Sequence, residues 1–172
     1  VGSEMCIRDS MATYAPLFAH VEGWQWRPDL IWYDNLRSIR SVSYYVQQLY
    51  GLYKGTHVLP LTMDKRAVTG AEGQDGLFAS AVVDKDKNQY IVKVANTSDK
   101  AQSIQLTFDG MKKKAALTAG RCIKLASPDL DKDNSLDAPS AIVPQESALT
   151  VEAQGARVEI EPNTFAVYIF EL

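Results

Sequence analysis

The clearest helical pattern in the chain lies between residues 41 and 55. Apolar side chains recur there at the spacing that places them on one face of a helix. Ser41 or Ser43 is suited to cap the N-terminus, and Gly55 stands where a glycine often ends a helix. The pattern therefore predicts a helix with a continuous apolar stripe, formed by Val42, Tyr45, Val46, Leu49, Tyr50 and Tyr53.

The segment before this helix predicts a strand followed by a long loop. Residues 11–20 read MATYAPLFAH, a short buried strand that Pro16 interrupts. Residues 21–29 (VEGWQWRPD) read as a loop, and residues 30–35 (LIWYDN) as a short strand or turn. With the helix, they form one strand–loop–helix unit over residues 11–57. Such a unit cannot cover both faces of its strand by itself.

From about residue 58 to the last residue, short strands alternate with turn signals, as in an all-β sandwich. In one strand Ile104, Leu106 and Phe108 point to one side, because side chains alternate along a strand. The polar runs 84–88 and 96–100 predict hairpin turns, and residues 127–146, rich in Asp, Ser and Pro, predict a crossing loop. The predicted strands are VLPLTM (58–63), LFASAVV (77–83), QYIVKVAN (89–96), SIQLTF (103–108), AALTAGRCIKL (115–125), ALTVEA (148–153), ARVEIE (156–161) and TFAVYIFEL (164–172).

The first ten residues, VGSEMCIRDS, follow neither period. They hold no apolar run long enough for a signal peptide. Back-translated in one frame, they resemble a transposase-end adapter used to prepare sequencing libraries. We therefore expect residues 1–10 to be an adapter-derived artefact without fixed structure; a short disordered leader is the other interpretation. On the adapter hypothesis, Met11 is an internal residue of a longer protein.

The charge balance argues against polyanionic partners. The chain has 18 Lys and Arg against 21 Asp and Glu, a formal net charge of −3. Its longest basic run is three lysines at 112–114, which suits a solvated turn or strand edge. Such a balance offers no electrostatic footprint for nucleic acid or an anionic membrane, and no apolar stretch approaches a transmembrane helix. We expect neither a nucleic-acid partner nor a membrane.

Two further sequence signals have simple structural interpretations. Cys6 falls in the first ten residues and Cys122 lies in a strand-like run, so no disulfide framework is expected and Cys122 reads as a core residue. Asn96, Thr97 and Ser98 match a glycosylation sequon, but the same residues make a good turn, which is the interpretation we favour.

No residue group makes a convincing metal site. Asp129, Asp131 and Asp133 match the start of a calcium loop, but its sixth and twelfth positions lack the required Gly and Glu. His20 and His57 lie far apart without a neighbouring pair of ligands. The sequence therefore predicts no metal and no cofactor.

Residues 24–34 hold a dense aromatic cluster: Trp24, Trp26, Trp32 and Tyr33, with Arg27, Asp29 and Asp34 among them. Trp32 and Tyr33 flank a predicted strand, so core packing alone explains them. Trp24 and Trp26 lie in a loop, where indoles are less often buried for packing alone. Aromatic faces stack on the C–H faces of a sugar, while carboxylates and Arg bond its hydroxyls. Contact with carbohydrate and plain core packing are the two interpretations.

Several separated motifs resemble α-L-arabinofuranosidases of glycoside hydrolase family 51. Residues 13–18 are similar to that family's Ser/Thr-Tyr-Ala-Pro-Leu-Phe strand, residues 26–29 to its Trp-x-Pro-Asp loop, and residues 43–47 to its Ser-Tyr-Tyr/Trp-Val-Gln helix. Residues 133–147 resemble a loop near the end of its β-sandwich, and residues 164–172 resemble its closing strand. The resemblance spans residues 11–172.

The strand pattern, the first ten residues and the resemblance together predict a mainly β chain with three parts. Residues 1–10 are the adapter-derived segment, residues 11–57 the last βα unit of a truncated (β/α)8 barrel, and residues 58–172 a jelly-roll-like C-terminal β-sandwich. The implied enzyme is retaining and removes terminal α-L-arabinofuranosyl groups from arabinoxylan, arabinan or their oligosaccharides. Retention needs two carboxyl groups about 5–5.5 Å apart. The family places both on earlier barrel strands, so we expect no catalytic residue in this chain and no activity from it alone.

The resemblance also implies which residues touch the substrate. Trp26, Asp29 and Trp24 are expected to line the sugar pocket, at the C-terminal face where barrel active sites lie. Some shorter family members have Trp-Arg-Gln in this loop, and Pro28 departs from that pattern. Glu22 is the one Glu in residues 11–57 and lacks the family's catalytic motif.

Two alternatives remain open for the sandwich half. One is a free-standing carbohydrate-binding module, although every Trp precedes residue 58. The other is a structural domain that braces the barrel, which we favour for this half. An extracellular or periplasmic location is favoured over the cytoplasm. The sequence leaves open whether the full-length enzyme forms oligomers.

Overall fold

The computed structural model describes residues 14–25, 27–111 and 116–172. The chain is mainly β, which confirms the predicted fold class. No helix in those residues is long and apolar enough to cross a membrane. The elements are β1 (Phe18–His20), β2 (Ile31–Tyr33), β3 (Ser38–Arg40), α1 (Val42–Leu52), β4 (His57–Leu59), β5 (Thr62–Met63), β6 (Arg66–Ala67), β7 (Leu77–Asp84), β8 (Gln89–Asn96), β9 (Gln102–Thr107), β10 (Ala119–Ala126), β11 (Gln145–Leu149), β12 (Gly155–Ile160) and β13 (Thr164–Glu171).

The chain forms two compact units whose bounds differ from the predicted domains. The smaller unit is Val1–Tyr44 with Asp133–Ala141, and the larger is Tyr45–Lys132 with Ile142–Leu172. Most of α1 therefore belongs with the strands that follow it, and a piece of the predicted crossing loop belongs with the N-terminal segment. The functional division at residue 57 stays a prediction.

The smaller unit contains a three-stranded sheet in the order β1-β2-β3. β1 and β2 run parallel, and β2 and β3 antiparallel. Ala19, Trp32 and Ile39 lie on one face and form its apolar core, with Val21 and Leu136 packed against them. The strand predicted at 11–20 is shorter than expected. Residues 14–17 are not strand, in keeping with a proline at position 16 that has no N–H to donate; residues 11–13 lie outside the described part.

Helix α1 agrees with its predicted pattern. The Ser41 Oγ accepts a hydrogen bond from the Tyr44 N–H at 3.2 Å, as an N-cap does. Gly55, three residues beyond the last helical residue, has φ 65°, where an added Cβ would contact Val82. In the larger unit Leu49 is buried with Ile91, Ile123 and Val167. Leu49 and Tyr53 of the apolar stripe therefore pack on one face of the sheet described next.

A six-stranded antiparallel sheet forms the main layer of the larger unit, in the order β11-β10-β13-β8-β7-β4. β13 lies inside it, paired with β10 and β8. Along β13, Val167 and Ile169 face the helix side, and Ala166, Tyr168 and Phe170 face the other side. Both faces of this strand are thus covered, which explains its nearly continuous apolar sequence.

The second layer of the sandwich is built from β9 and β12, which pair antiparallel. Val158 and Ile160 on β12, with Ile104 and Leu106 on β9, share the cluster of Tyr168 and Phe170. The alternation predicted for residues 104–108 is confirmed, since Ile104, Leu106 and Phe108 are partly buried and the residues between them exposed. A short hairpin, β5 with β6, forms a separate pair.

One of the two predicted hairpins is wrong. Residues 84–88 do connect the antiparallel pair β7 and β8. Residues 96–100, however, lead from β8 in the six-stranded sheet to β9 in the two-stranded sheet. Polar turn composition signals a change of direction and carries no information on which strand pairs next, so it cannot separate a hairpin from a crossing between layers.

Candidate functional site

The aromatic loop between β1 and β2 combines one buried and one exposed indole. Trp32 is 8% exposed and belongs to the sheet core, as its position in a predicted strand suggested. Trp24 is 45% exposed and meets Trp32 edge-on, with ring centroids 5.9 Å apart. Trp26 lies outside the described residues. Of the two predicted indoles that the loop could offer to a ligand, Trp24 has an accessible face.

Arg27 lies over both indoles of this loop. The centre of its guanidinium is 4.9 Å from the ring centroid of Trp24 and 5.1 Å from that of Trp32. At such distances a guanidinium is held by cation–π attraction. Arg27 also precedes a cis peptide bond to Pro28. The side chain that the sequence placed beside the indoles therefore has a defined position against them.

Asp29 was expected to line the sugar pocket, but its side chain is deeply buried. It is 2% exposed, and its Oδ2 has no hydrogen-bond partner in the described part of the chain. A buried carboxylate oxygen without a donor costs free energy, so native proteins pair such groups almost without exception. Asp29 Oδ2 therefore needs a hydrogen-bond donor, and the described residues do not supply one.

A cavity of about 240 Å³ opens beside the loop. Trp32 and Ile39 contribute its apolar floor, and Arg27 contributes a positive charge. The complete lining is Val21, Arg27, Pro28, Trp32, Ile39, Asp133, Asn134, Ser135 and Leu136. Neither Trp24 nor Asp29 is part of this lining.

The stretch 133–136 reaches this cavity from far along the chain. The Asp133 Oδ1 accepts hydrogen bonds from the N–H of Val42 at 3.2 Å and of Asn134 at 2.8 Å. The Asn134 Nδ2 donates to the carbonyl oxygen of Arg40 at 2.9 Å. Sequence reasoning missed this contribution because it treated residues 127–146 as a crossing loop. The resemblance of residues 133–147 to a family loop was the one signal that could have found it.

Glu22 and Asp129, which are outside the cavity lining, take part in local hydrogen bonds. Glu22 follows β1, and its N–H donates to the His20 Nδ1 at 3.2 Å. The Asp129 Oδ1 accepts from the N–H of Asp131 at 3.0 Å. Within residues 14–25, 27–111 and 116–172, no three His, Cys, Asp or Glu side chains gather as a metal site would need.

Several solved structures share this fold. An arabinose-bound α-L-arabinofuranosidase of glycoside hydrolase family 51 is 28% identical, with TM-score 0.80 over 92% of this chain and 24% of its own. An arabinose complex of the α-L-arabinofuranosidase from Thermotoga maritima has TM-score 0.71 over 84% of this chain and 32% of its own; at 16% identity it shows the fold alone. The fold is thus that of the C-terminal β-sandwich part of a glycoside hydrolase.

The sequence comparisons narrow that class to one family. A family model described as the alpha-L-arabinofuranosidase C-terminal domain matches residues 5–163. The chain belongs to this family.

The named relatives are arabinofuranosidases as well. A probable α-L-arabinofuranosidase A of Aspergillus flavus is 35% identical over 80% of this chain and 20% of its own length. α-L-Arabinofuranosidase 1 of Arabidopsis thaliana is 27% identical over 92% of this chain and 23% of its own length. The chain therefore spans about a quarter of the length of the proteins it matches.

Proposed function

We propose that the chain is the C-terminal part of a retaining α-L-arabinofuranosidase, which removes terminal non-reducing α-L-arabinofuranosyl groups from arabinoxylan or arabinan. The observation that carries the proposal is the family match over residues 5–163. The catalytic carboxyl pair of such an enzyme lies in the part of the longer protein upstream of this chain. The chain by itself contributes no nucleophile and no acid/base residue.

The loop between β1 and β2 contributes to sugar binding in this proposal. Trp24 and Trp26 offer faces for stacking, and the exposed ring of Trp24 supports this role. Asp29 accepts a hydrogen bond through its unpartnered Oδ2, for which a sugar hydroxyl is a suitable donor.

The larger unit acts as a brace in the proposed enzyme. A binding module of the stacking type presents several coplanar exposed rings on its strands. Phe78 is the one exposed aromatic side chain among the large apolar residues of the described strands after residue 58. The described strands therefore favour a structural role over a separate carbohydrate-binding module.

A chimaera tests the proposal directly. Residues 14–172 replace the matching C-terminal part of an active arabinofuranosidase, and hydrolysis of an aryl α-L-arabinofuranoside is measured. We expect an active chimaera in which Trp24→Ala or Trp26→Ala lowers kcat/KM by about 10- to 100-fold, because loss of one stacking face costs about 1–3 kcal/mol. Trp24→Tyr, which keeps a ring face, is the matched control and should stay close to the parent.

The same chimaera tests the carboxylate. Asp29→Asn keeps the shape but weakens the acceptor, so kcat/KM should fall while the melting temperature holds. If the alanine and asparagine variants leave kcat/KM unchanged and lower only the melting temperature, these residues are core, and the assignment of the loop to sugar binding fails.

A further inference from the structure

The cavity beside the aromatic loop contains a cation, Arg27, that has no carboxylate partner among the described residues. Ion pairs in the described part of the chain involve Arg37, Lys87, Arg121 and Lys124. Arg27 is in none of them, although it lines the cavity and is exposed. Its position is nevertheless fixed, since two indoles hold its planar group.

Stacking on rings leaves the hydrogen-bonding edge of a guanidinium available. The five N–H groups of Arg lie in one plane, and π contact uses the faces of that plane. A planar carboxylate matches this edge with two parallel, charge-assisted hydrogen bonds. Arg27 is therefore prepared to receive such a group at little further cost in side-chain entropy.

The rest of the lining suits a small polyol. Trp32, Ile39 and Leu136 provide apolar surface, and Asp133 provides a carboxylate on the same cavity. Its Oδ1 is already held by two backbone N–H groups, which fixes the carboxylate as an acceptor for ligand hydroxyls. A simple inorganic anion would meet the repulsion of Asp133 and gain nothing from the apolar surface.

We propose that this cavity binds a uronate, a sugar ring that carries a carboxylate, with the carboxylate on Arg27 and the ring hydroxyls toward Asp133. The volume of about 240 Å³ suits one monosaccharide. The inference rests on the proposed function, because the uronate would be a side group of the arabinose-bearing polymer. The enzyme would then favour acidic arabinose-containing polysaccharides over neutral ones.

Binding to the 172-residue chain provides the test, with tryptophan fluorescence as the readout because Trp24 and Trp32 flank Arg27. Glucuronate and glucose, which differ in the carboxylate, are titrated in parallel. We expect glucuronate to bind at least about tenfold more tightly, and Arg27→Gln to remove that difference. Arg157→Gln, which changes net charge equally in an exposed strand position, is the matched control and should keep it.

Arg27→Lys distinguishes the effect of the positive charge from that of the planar guanidinium. It is also the replacement variant for this test if Arg27→Gln does not fold. It keeps the cation but loses the planar fork, so the preference for glucuronate should shrink strongly. Equal binding of the two sugars, no saturable glucuronate binding in the millimolar range, or a preference that survives both substitutions would overturn the inference.

The outcome is separable from that of the proposed function. A neutral aryl arabinofuranoside carries no carboxylate, so its hydrolysis by the parent chimaera tests the proposed function without engaging the carboxylate site. Absence of a glucuronate preference in the unchanged chain, with intact hydrolysis by the parent chimaera, refutes only the inference. Uronate binding in a chimaera without arabinofuranosidase activity refutes only the proposed function.

Discussion

Asn96 shows how one polar side chain joins the two layers of the sandwich. Its Nδ2 donates to the carbonyl oxygens of Lys100, Ile160 and Glu161 at 2.8, 3.3 and 3.0 Å. Its Oδ1 accepts from the N–H of Ser98 at 3.1 Å, and the residue is 1% exposed. Asn96 is the last residue of β8, and its side chain contacts the end of β12. The side-chain nitrogen that glycosylation would modify is therefore occupied by hydrogen bonds inside the fold.

Asn96→Ala should therefore destabilise the chain by about 2–4 kcal/mol, because it leaves buried backbone groups without partners. Urea unfolding followed by circular dichroism measures the change. Gln105→Ala, an exposed position on β9, is the control and should shift stability by about 0.5 kcal/mol or less. An equal effect of both variants would contradict the linking role of Asn96.

Cys122 on β10 is predicted to be a poorly reactive thiol. Burial raises the pKa of Cys122, so less thiolate forms at a given pH than in an unfolded chain. Alkylation by iodoacetamide at pH 8 should be slower in the native chain than in urea, and the difference should narrow as the pH rises. Peptide mapping separates Cys122 from Cys6. Native alkylation as fast as in urea would show that the site is open.

At the scale of elements, the contact between β9 and β12 depends on a position without a side chain. Gly155 begins β12 opposite Thr107, and an added Cβ would collide with the backbone carbonyl of Leu106. A backbone atom in a paired strand cannot move aside as a flexible side chain can. Close approach, and not a special φ angle, is the reason for glycine here.

Gly155→Ala should destabilise the larger unit by about 1–3 kcal/mol, as overpacking does. Gly51→Ala is the matched control: no atom lies within 4 Å of its added Cβ, and the site is inside α1. That change should stabilise by about 0.5–1 kcal/mol, the usual helix gain of Ala over Gly. Thermal unfolding of both variants measures the contrast, and a neutral Gly155→Ala would show that the strands can separate freely.

At the scale of the whole molecule, most of helix α1, from Tyr45 onward, belongs to the larger unit. Leu49 is 3% exposed and packs with Ile91, Ile123 and Val167 on the six-stranded sheet. The Lys93 ammonium, on the same sheet, donates to the carbonyl oxygen of Tyr53 at 2.6 Å. A domain that began after residue 57 would lack the helix that packs on this face of the sheet.

A chain that begins at residue 45 should therefore unfold at a higher urea concentration than one that begins at residue 58. The shorter chain exposes the apolar face around Ile91 and Val167, and should bind a hydrophobic dye and aggregate. Equal midpoints without dye binding would support the predicted boundary at 57 over the observed compact unit.

The 172-residue chain should release no arabinose from an aryl arabinofuranoside. Hydrolysis with retention needs two carboxyl groups, and Glu22 is the one Glu in residues 11–57. The sensitive measurement is overnight release of the aryl alcohol against a buffer blank. Turnover that persists through purification and disappears in Glu22→Ala would place the active site within this chain.

Much of this protein follows from local pattern alone. The period of Tyr45 and Leu49 determined a helix, and the alternation of Ile104 and Leu106 determined a strand, because each pattern exposes one face to be buried. The turn at 84–88 between β7 and β8 was likewise predicted from its polar composition, whereas the strand predicted around Pro16 does not form at residues 14–17. The sandwich class was accessible at this level, and the family followed from the resemblance of several separated motifs.

Only the tertiary structure decided which elements meet. Residues 133–136 lie beside the sheet of Trp32, and residues 96–100 connect strands of two different sheets. Most of α1 belongs to the larger unit. The tertiary structure also buried Asp29 and placed Arg27 on two indoles beside a cavity. Periodicity indicates that a residue needs a packing partner but does not identify that partner. Contacts between segments 91 and 94 residues apart depend on the packing of the whole chain.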